Sequence, residues 1–326
     1  MKLCMVIPCY NEEEVLLETA ARLTEKYNNL ILSNKISNDS RIVFVDDGSK
    51  DQTWAIISRL SKENEYFEGL KLSRNRGHQN ALLAGLLTVK DEFDAVISMD
   101  ADLQDDINAI DKMVESHLEG NDIVYGVRSN RKKDSFFKRT TAHVFYKVMK
   151  WLGAETVYNH ADFRLMSRRA LNALADFPEV NLFLRGMVPL IGFKSDTVYY
   201  NRDRRFAGES KYPLRKMLSF AFEGITSLSI RPIDLIIRLG ILICTVGLGI
   251  LIYSLVQHFL GHTTVGWTSL MASIWTLGGI QLSAIGVIGK YIGKMYLETK
   301  HRPRFIVEEN TMNDQINIKD SSLRSE

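Results

Sequence analysis

The chain has 326 residues, of which 45% are hydrophobic and 25% are charged, and its formal net charge at pH 7 is +2. This length accommodates one good-sized domain and a smaller one, and the nearly balanced charge argues against nucleic acid as a partner. The three cysteines are odd in number and lack metal-ligand spacing, which favours free thiols in a reducing compartment. The N-terminus has no secretory signal pattern, so we expect the N-terminal part to stay in the cytoplasm.

The first half of the chain alternates short apolar runs with helical patterns. The runs predicted as strands are residues 3–7, 42–45, 69–72, 95–99, 123–127 and 193–200. The segments predicted as helices are residues 12–26, 51–60, 80–89 and 136–152. This alternation predicts an α/β fold with a mostly parallel sheet, in which a ligand lies beyond the carboxyl ends of the strands.

Acidic side chains follow two of the predicted strands. Asp47 follows residues 42–45, and Asp100 and Asp102 follow the strand at 95–99. Two carboxylates one residue apart can share a hard divalent cation, and such a cation stabilises a departing diphosphate. Gln104 offers a further oxygen. Asp is also common in ordinary turns, so the pair alone does not decide between a metal site and a turn.

The loop after the first predicted strand offers groups that suit a nucleotide. Tyr10 has a face for stacking on a base, and Glu12 has a carboxylate that can accept from base or ribose groups. Asp47, at the end of the second strand, suits a ribose hydroxyl. The alternatives are a turn with a helix N-cap at Asn11 and an ordinary Asp-Gly turn after Asp47.

The second half contains two long segments without a charged side chain, residues 239–259 and 267–289. At about 1.5 Å per residue each can cross a hydrocarbon core of about 30 Å, which predicts two membrane spans. Lys and Arg flank the two segments on their outer sides, whereas residues 260–266 contain neither. The positive-inside rule therefore predicts a multi-pass protein of the cell membrane with both termini in the cytoplasm.

Three further features concern the membrane region. Residues 212–232 begin with an amphipathic pattern, which we expect to lie along the bilayer surface; packing against the preceding domain is the alternative. Residues 294–326 form a tail whose polar end is expected to be disordered. Gly289 and Gly293 form a G-x-x-x-G pattern, which favours helix packing within the chain or in a homo-oligomer.

Four motifs in the first half resemble those of glycosyltransferase family 2 proteins with a GT-A fold. They are IPCYNEE (7–13), VDDGSKD (45–51), SRNRGHQNALLAGL (73–86) and MDADLQD (99–105). Three later motifs resemble the polyprenyl-phosphate branch of that family, which includes dolichyl-phosphate mannose synthases and bacterial undecaprenyl-phosphate glucosyltransferases. They are GVRSNR (126–131), ADFRLMSR (161–168) and RFAGESKY (205–212).

The resemblance extends over residues 1–304 and implies a domain order. A GT-A catalytic domain, Rossmann-like with a mostly parallel sheet, would occupy residues 1–211 in the cytoplasm. An amphipathic juxtamembrane helix would follow at 212–232, then a two-helix transmembrane region at 233–293 and the tail at 294–326.

The resemblance also implies roles for individual residues. The expected nucleotide contacts are Pro8, Tyr10, Glu12, Val45, Asp47, Asp100 and Ala101. The expected ligands of Mg²⁺ or Mn²⁺ are Asp100, Asp102 and Gln104. The expected phosphate-binding residues are Arg128, Arg205 and Lys211, whose cationic groups suit phosphate oxygens.

Asp102 and Asp162 are the expected catalytic residues. Asp162 is expected near the reaction centre, either orienting the acceptor or acting as a base. A phosphate monoester is already mostly a dianion at neutral pH, so the reaction does not require a base. His78 lies in a matched segment, and we expect it to have a packing or surface role.

The activity implied is the inverting transfer of one sugar from a nucleotide-sugar to polyprenyl phosphate at the cytoplasmic membrane face, with a β-linked product. UDP-glucose is the first choice of donor, and UDP-N-acetylglucosamine and GDP-mannose are alternatives. Processive polysaccharide synthases share the fold, but usually carry a Q-x-x-R-W motif and more spans, and the chain has neither. An inactive membrane scaffold would have lost the D-x-D pair or the basic residues, and both are present.

Overall fold

A computed structural model describes residues 1–129, 160–180, 182–201, 231–260 and 266–312. These residues divide between two compact units. The first unit contains β1 (Leu3–Cys9), α1 (Leu16–Leu32), β2 (Arg41–Asp46), α2 (Thr53–Glu63), β3 (Phe67–Leu72), α3 (His78–Val89), β4 (Ala95–Ser98), α4 (Ala109–Leu118), β5 (Ile123–Arg128), β6 (His160–Ser167), α5 (Arg168–Ala175), α6 (Leu184–Leu190), β7 (Ser195–Tyr200) and β8 (Val307–Asn310). The second unit contains α7 (Arg231–Phe259) and α8 (Trp267–Thr299).

The strands of the first unit form one sheet in the order β7-β5-β6-β4-β1-β2-β3-β8. The central strands β4, β1, β2 and β3 are parallel, and β5 and β7 are parallel to each other. β6 runs antiparallel between β4 and β5, and β8 is antiparallel to β3. The chain proceeds from β1 to β2 and β3 on one side and returns to β4 on the other. The strand order therefore reverses beside β1, which is where open α/β sheets bind ligands.

Both faces of the sheet are covered. On one face α1, α2 and α4 share a buried core with alternate residues of β1, such as Leu3, Met5 and Ile7. On the other face α3, α5 and α6 share a second core with the intervening residues, such as Cys4 and Val6. Burial on both faces explains why the parallel strands are continuous apolar runs rather than alternating ones.

The strands predicted from the sequence correspond to the parallel part of this sheet. The predicted strands at 3–7, 42–45, 69–72 and 95–99 overlap β1 to β4, and the α/β, mostly parallel prediction is confirmed. The strands β6 and β8 and the helices α4, α5 and α6 were not predicted. The helix predicted at 136–152 and the amphipathic residues 212–230 lie outside the described part of the chain.

The two uncharged segments form helices, since they lie within α7 and α8. In the described part of the chain, however, no helix combines the length and apolar character needed to cross a membrane. The predicted pair of membrane spans is therefore unsupported there. A Cβ added at Gly289 or Gly293 would meet no atom within 4 Å, so the described residues do not use this glycine pattern for close packing.

Candidate functional site

The carboxyl ends of β1 and β2 bring the predicted nucleotide residues together. Pro8 pairs with Val45 in the parallel register of the two strands. Tyr10 follows β1 with 42% of its surface exposed, so its ring is accessible to a ligand. Asp47 follows β2, and its backbone N–H donates to the carbonyl of Cys9 at 2.9 Å. The ring predicted to stack on the base and the carboxylate predicted to accept from the ribose hydroxyl therefore lie at the same edge of the sheet.

The carboxylate of Asp47 organises the loop between β3 and α3. Its two oxygens accept from the backbone N–H groups of Arg76 at 2.7 Å and of Gly77 at 2.8 Å. Burial raises the pKa of Asp47, and these two hydrogen bonds oppose the increase. Each carboxylate oxygen has a second lone pair, so the structural role is compatible with a contact to ribose.

A second contact between these loops requires a glycine. Gly48 has φ +68°, and a Cβ there would lie 2.7 Å from the backbone of Arg74 and Asn75. Such a close approach excludes every side chain. The Asp-Gly pair after β2 therefore does more than reverse the chain direction. The absence of a side chain at Gly48 allows the loop after β3 to pack against the end of β2.

The loop after β1 is also tied to the loop after β2. Asn11, at φ 55°, accepts through Oδ1 from the backbone of Lys50 at 2.9 Å, and its own N–H donates to Ser49 Oγ at 3.0 Å. The backbone N–H of Glu12 donates to Thr53 Oγ1 at 2.9 Å. Because α1 begins only at Leu16, Asn11 forms a turn and is not the helix N-cap that the sequence offered as an alternative.

The D-x-D pair follows β4. Ala101, between the two carboxylates, is buried, and its carbonyl accepts from Thr19 Oγ1 at 2.9 Å. Asp102 Oδ1 accepts from the backbone N–H of Gln104 at 3.2 Å, across Leu103 with φ 56°. This turn fixes the three predicted metal ligands beside the strand-order reversal.

Charge accumulates around Asp100. Burial raises its pKa to about 6, the carboxylates of Asp105, Asp162 and Asp102 add to the increase, and His78 opposes it. A bound cation would relieve this concentration of negative charge.

The described residues include no group of three or more His, Cys, Asp or Glu side chains that could hold a metal ion. Mg²⁺ is commonly held by one or two carboxylates together with substrate phosphates and water. Asp100, Asp102 and the Gln104 amide therefore fit a divalent cation whose coordination substrate phosphate helps to complete.

His78 and Asp162 belong to the same cluster. His78, at the start of α3, places Nε2 3.5 Å from Asp100 Oδ1 and 3.6 Å from Asp162 Oδ2. Burial lowers the pKa of His78, but the two carboxylates outweigh it and the pKa is raised. The ring of His78 therefore bridges two of the carboxylates of the candidate site, a contact that the sequence did not predict.

Two arginines hold Asp162, and the sequence identified neither. Arg164 donates to Asp162 Oδ1 at 2.7 Å from a side chain that is only 2% exposed. Arg185, on α6, donates to Oδ2 at 3.0 Å and to Oδ1 at 3.3 Å. Burial alone would raise the pKa of Asp162, but Arg185, His78 and Arg164 hold it well below the ordinary value. A carboxylate held this firmly as an anion is a poor base.

The contact of one of these arginines with Asp162 could have been predicted from the sequence. Arg164 lies two residues after Asp162 on β6, so the two side chains leave the same face of the strand. Arg185 lies far along the chain on a short helix, and only the folded structure brings it to Asp162.

The predicted phosphate residue Arg128 ends β5 near the acidic cluster. Its Nη2 lies 3.4 Å from Asp105 Oδ1, and its Nε donates to the Tyr200 hydroxyl at 3.2 Å. Asp105 belongs to the MDADLQD motif, but no role was predicted for it. Arg205 and Lys211, the other two predicted phosphate residues, lie outside the described residues.

Comparisons with known proteins agree with this architecture. The sequence model described as "Glycosyl transferase family 2" matches residues 4–175. An uncharacterized glycosyltransferase of Bacillus subtilis strain 168, YkoT, is 54% identical over 314 residues, covering 96% of this chain and 93% of that protein. The bactoprenol glucosyl transferase of Shigella phage SfV is 38% identical over 313 residues, covering 94% of this chain and 98% of that protein.

Similarity to solved structures is lower. The glucosyl-3-phosphoglycerate synthase of Mycobacterium tuberculosis in complex with phosphoglyceric acid has a TM-score of 0.46 and 16% sequence identity. The alignment covers 71% of this chain and 79% of that one.

Proposed function

Since the chain belongs to glycosyl transferase family 2, we propose that it transfers a single glucose from UDP-glucose to a polyprenyl phosphate. This proposal rests on one observation: two carboxylates and a set of cationic side chains lie close together near the carboxyl ends of the strands. Asp100 and Asp102 supply the acidic pair, and Arg128 and Arg185 supply the cationic groups. A nucleotide diphosphate and an acceptor phosphate need both kinds of group.

The donor would bind over β1 and β2. Tyr10 would stack on the base, and Glu12 and Asp47 would accept from base or ribose hydroxyl groups. Pro8, Val45 and Ala101 would shape the floor of this site, since they lie on or directly after adjoining strands. The bonds between the loops after β1, β2 and β3 fix the donor site before substrate arrives, which lowers the entropic cost of binding.

Asp100, Asp102 and Gln104 would hold Mg²⁺ or Mn²⁺ next to the donor diphosphate. A bound divalent cation supplies Lewis-acid stabilisation to the leaving nucleotide diphosphate. The carboxylates of this chain set the position of that charge, since the turn through Leu103 and the bond from Thr19 to Ala101 hold them in place.

The acceptor phosphate would lie near Asp162 without giving it a proton. At neutral pH a phosphate monoester is mostly a dianion and needs no general base to attack the anomeric carbon. Asp162 would act by keeping Arg185 and His78 at the site, which separates the acceptor phosphate from the carboxylates. A single in-line displacement then inverts an α-linked donor to a β-linked product. Arg205 and Lys211 remain proposed phosphate contacts.

The place of reaction follows from the acceptor. A polyprenyl tail stays in the bilayer, so the enzyme has to reach the bilayer surface from the side that contains nucleotide-sugars. We therefore place the reaction at the cytoplasmic face of the cell membrane, with both termini on that side. Reporters fused to each terminus test this: cytoplasmic activity at both supports the orientation, and an external signal at either contradicts it.

Product analysis separates this proposal from its alternatives. The purified chain is incubated with undecaprenyl phosphate, a divalent metal and, one at a time, UDP-glucose, UDP-N-acetylglucosamine and GDP-mannose. Mass spectrometry of the lipid fraction should show one added hexose with UDP-glucose. A preferred second donor would change the sugar, a polymer would indicate a processive synthase, and unmodified lipid with every donor would refute the transferase proposal.

A further inference from the structure

Asp105 is a buried carboxylate beside the D-x-D pair. Its side chain is 1% exposed. Its Oδ1 accepts from the Tyr200 hydroxyl at 2.5 Å and lies 3.4 Å from Arg128 Nη2. Its Oδ2 is buried and has no hydrogen-bond partner among the described residues. A buried carboxylate with one unsatisfied oxygen is costly to stability, so a compensating function is expected at this position.

Tyr200 connects Asp105 to Arg128 through one hydroxyl group. It ends β7 directly opposite Arg128, the last residue of β5, in the parallel register of the two strands. Its hydroxyl donates to Asp105 and accepts from Arg128 Nε at 3.2 Å. Its ring is buried and meets Phe163 edge-on, with centroids 5.3 Å apart. The hydroxyl is therefore fixed by the sheet and cannot follow a moving side chain.

These contacts restrain Arg128 at two of its nitrogen atoms. Tyr200 holds Nε and Asp105 faces Nη2, so the plane of the guanidinium is set from one side. The side chain remains 24% exposed, so a ligand can reach the guanidinium. A planar fork fixed in this way is suited to bind phosphate oxygens in one defined orientation.

We propose that Asp105 and Tyr200 are positioning residues that act through Arg128, holding its guanidinium towards a substrate phosphate beside Asp100 and Asp102. The inference rests on the proposed function, since it requires a phosphate-bearing substrate. It goes beyond that function by giving a task to a buried acid and a buried phenol that touch no substrate. The phosphate belongs to the donor diphosphate or to the acceptor lipid, and the two share the same chemistry.

The first variant removes one oxygen atom. Tyr200→Phe keeps the ring and its contact with Phe163, but frees Nε of Arg128. We expect kcat/KM to fall on the order of tenfold, because loss of orientation at a reacting phosphate is expensive. Tyr199→Phe is the matched control, since it removes the same oxygen from a neighbouring side chain that is 64% exposed. It should behave as the unmutated chain does.

A double-mutant cycle separates positioning from general damage. In an Arg128→Gln background, Tyr200→Phe should cause no further loss of kcat/KM, because the group through which it acts is gone. Asp105→Asn, which keeps the shape and an acceptor oxygen, should behave in the same way and serves if Tyr200→Phe folds poorly. A loss of equal size in both backgrounds would overturn the inference in favour of a structural role.

Calorimetry identifies the phosphate. One arm titrates UDP with Mg²⁺ and the other a short-chain polyprenyl monophosphate, each against the unmutated chain, Tyr200→Phe and Tyr199→Phe. Weaker binding by Tyr200→Phe in one arm only assigns Arg128 to that ligand, and unchanged binding and turnover overturn the inference. If the unmutated chain binds these ligands but forms no glycolipid, the proposed function fails while the binding arms still decide the inference. If it binds neither ligand, both fail.

Discussion

The guanidinium of Arg185 lies against the carboxylate of Asp162, with Nη2 3.0 Å from Oδ2 and Nε 3.3 Å from Oδ1. The same Oδ2 faces His78, which in turn faces Asp100. Arg185 on α6 is thereby linked, through Asp162 and His78, to the acidic pair that follows β4. The arrangement places the carboxylates of the proposed metal ligands close to a cation that the proposed acceptor phosphate would approach.

Replacing Arg185 with Gln should lower turnover at least tenfold, because the acceptor phosphate would then approach Asp162 without an intervening positive charge. Initial rates with saturating donor measure this. Arg169→Gln is the matched control, since Arg169 also pairs with an Asp but at a different, exposed place. Equal activity of the two variants would remove Arg185 from the site.

Replacing Asp162 with Asn should cost stability as well as activity. Arg164 is almost fully buried and would lose its charged partner. Removing one partner of a buried ion pair typically costs about 3–5 kcal/mol of unfolding free energy. Urea unfolding of the two proteins measures the difference, and a loss below about 1 kcal/mol would contradict the burial of an uncompensated charge at Arg164.

Replacing Asp102 with Asn should nearly abolish transfer, because a proposed metal charge at the leaving group would be lost. Asp106→Asn is a nearby control, whose side chain accepts from the backbone N–H of Asn108 in the turn before α4. EDTA should stop the reaction and Mg²⁺ or Mn²⁺ should restore it. Full activity in a metal-free assay, or more than a tenth of normal turnover for Asp102→Asn, would refute the metal assignment.

Glu68, on β3, predicts a pH-dependent stability away from the site. Burial raises its pKa from 4.5 to about 7, although Arg41 lies 3.8 Å away, and Oε2 has no hydrogen-bond partner in the described structure. Because the folded pKa is the higher one, its contribution to stability is complete at low pH and is lost as pH rises through about 7. The loss should approach about 3 kcal/mol between pH 5 and pH 9.

Denaturant unfolding at several pH values tests the role of Glu68. Glu68→Gln should flatten the decline in stability between about pH 4.5 and about pH 7, whereas Glu63→Gln, at an exposed position on α2, should leave it unchanged. The same pH dependence in all three proteins would show that Glu68 is not the titrating group.

Much of the fold could be predicted because the parallel strands carry their own signal. β1 to β4 are buried on both faces, so their residues form apolar runs, and the acidic motifs mark the ends of β2 and β4. The antiparallel β6 lacked such a signal, since it contains Asp162 and Arg164. These charges are tolerated inside only because they neutralise one another and meet Arg185.

Among the other elements that were not predicted, β8 and α4 were missed for different reasons. β8 is the polar segment Val307–Asn310, and its pairing depends on distant partners, such as Lys71, which lies 2.6 Å from Glu309. α4 could have been predicted, because Ile110, Met113 and Val114 follow helical spacing and are all buried. The motifs proposed to bind metal and donor were recognised from local spacing, whereas the contacts of Arg185, Tyr200 and Asp105 join distant parts of the chain and could not be predicted in this way.

The most direct measurement is the structure of the lipid product. The purified chain, Mg²⁺, UDP-glucose and undecaprenyl phosphate are incubated together, with Asp102→Asn as the inactive control, and the lipid is analysed by mass spectrometry and by the anomeric proton signal in NMR. The account predicts one hexose per lipid, joined to the phosphate in the β configuration. An α-linked product, a longer glycan, or unmodified lipid from the unmutated chain would contradict it.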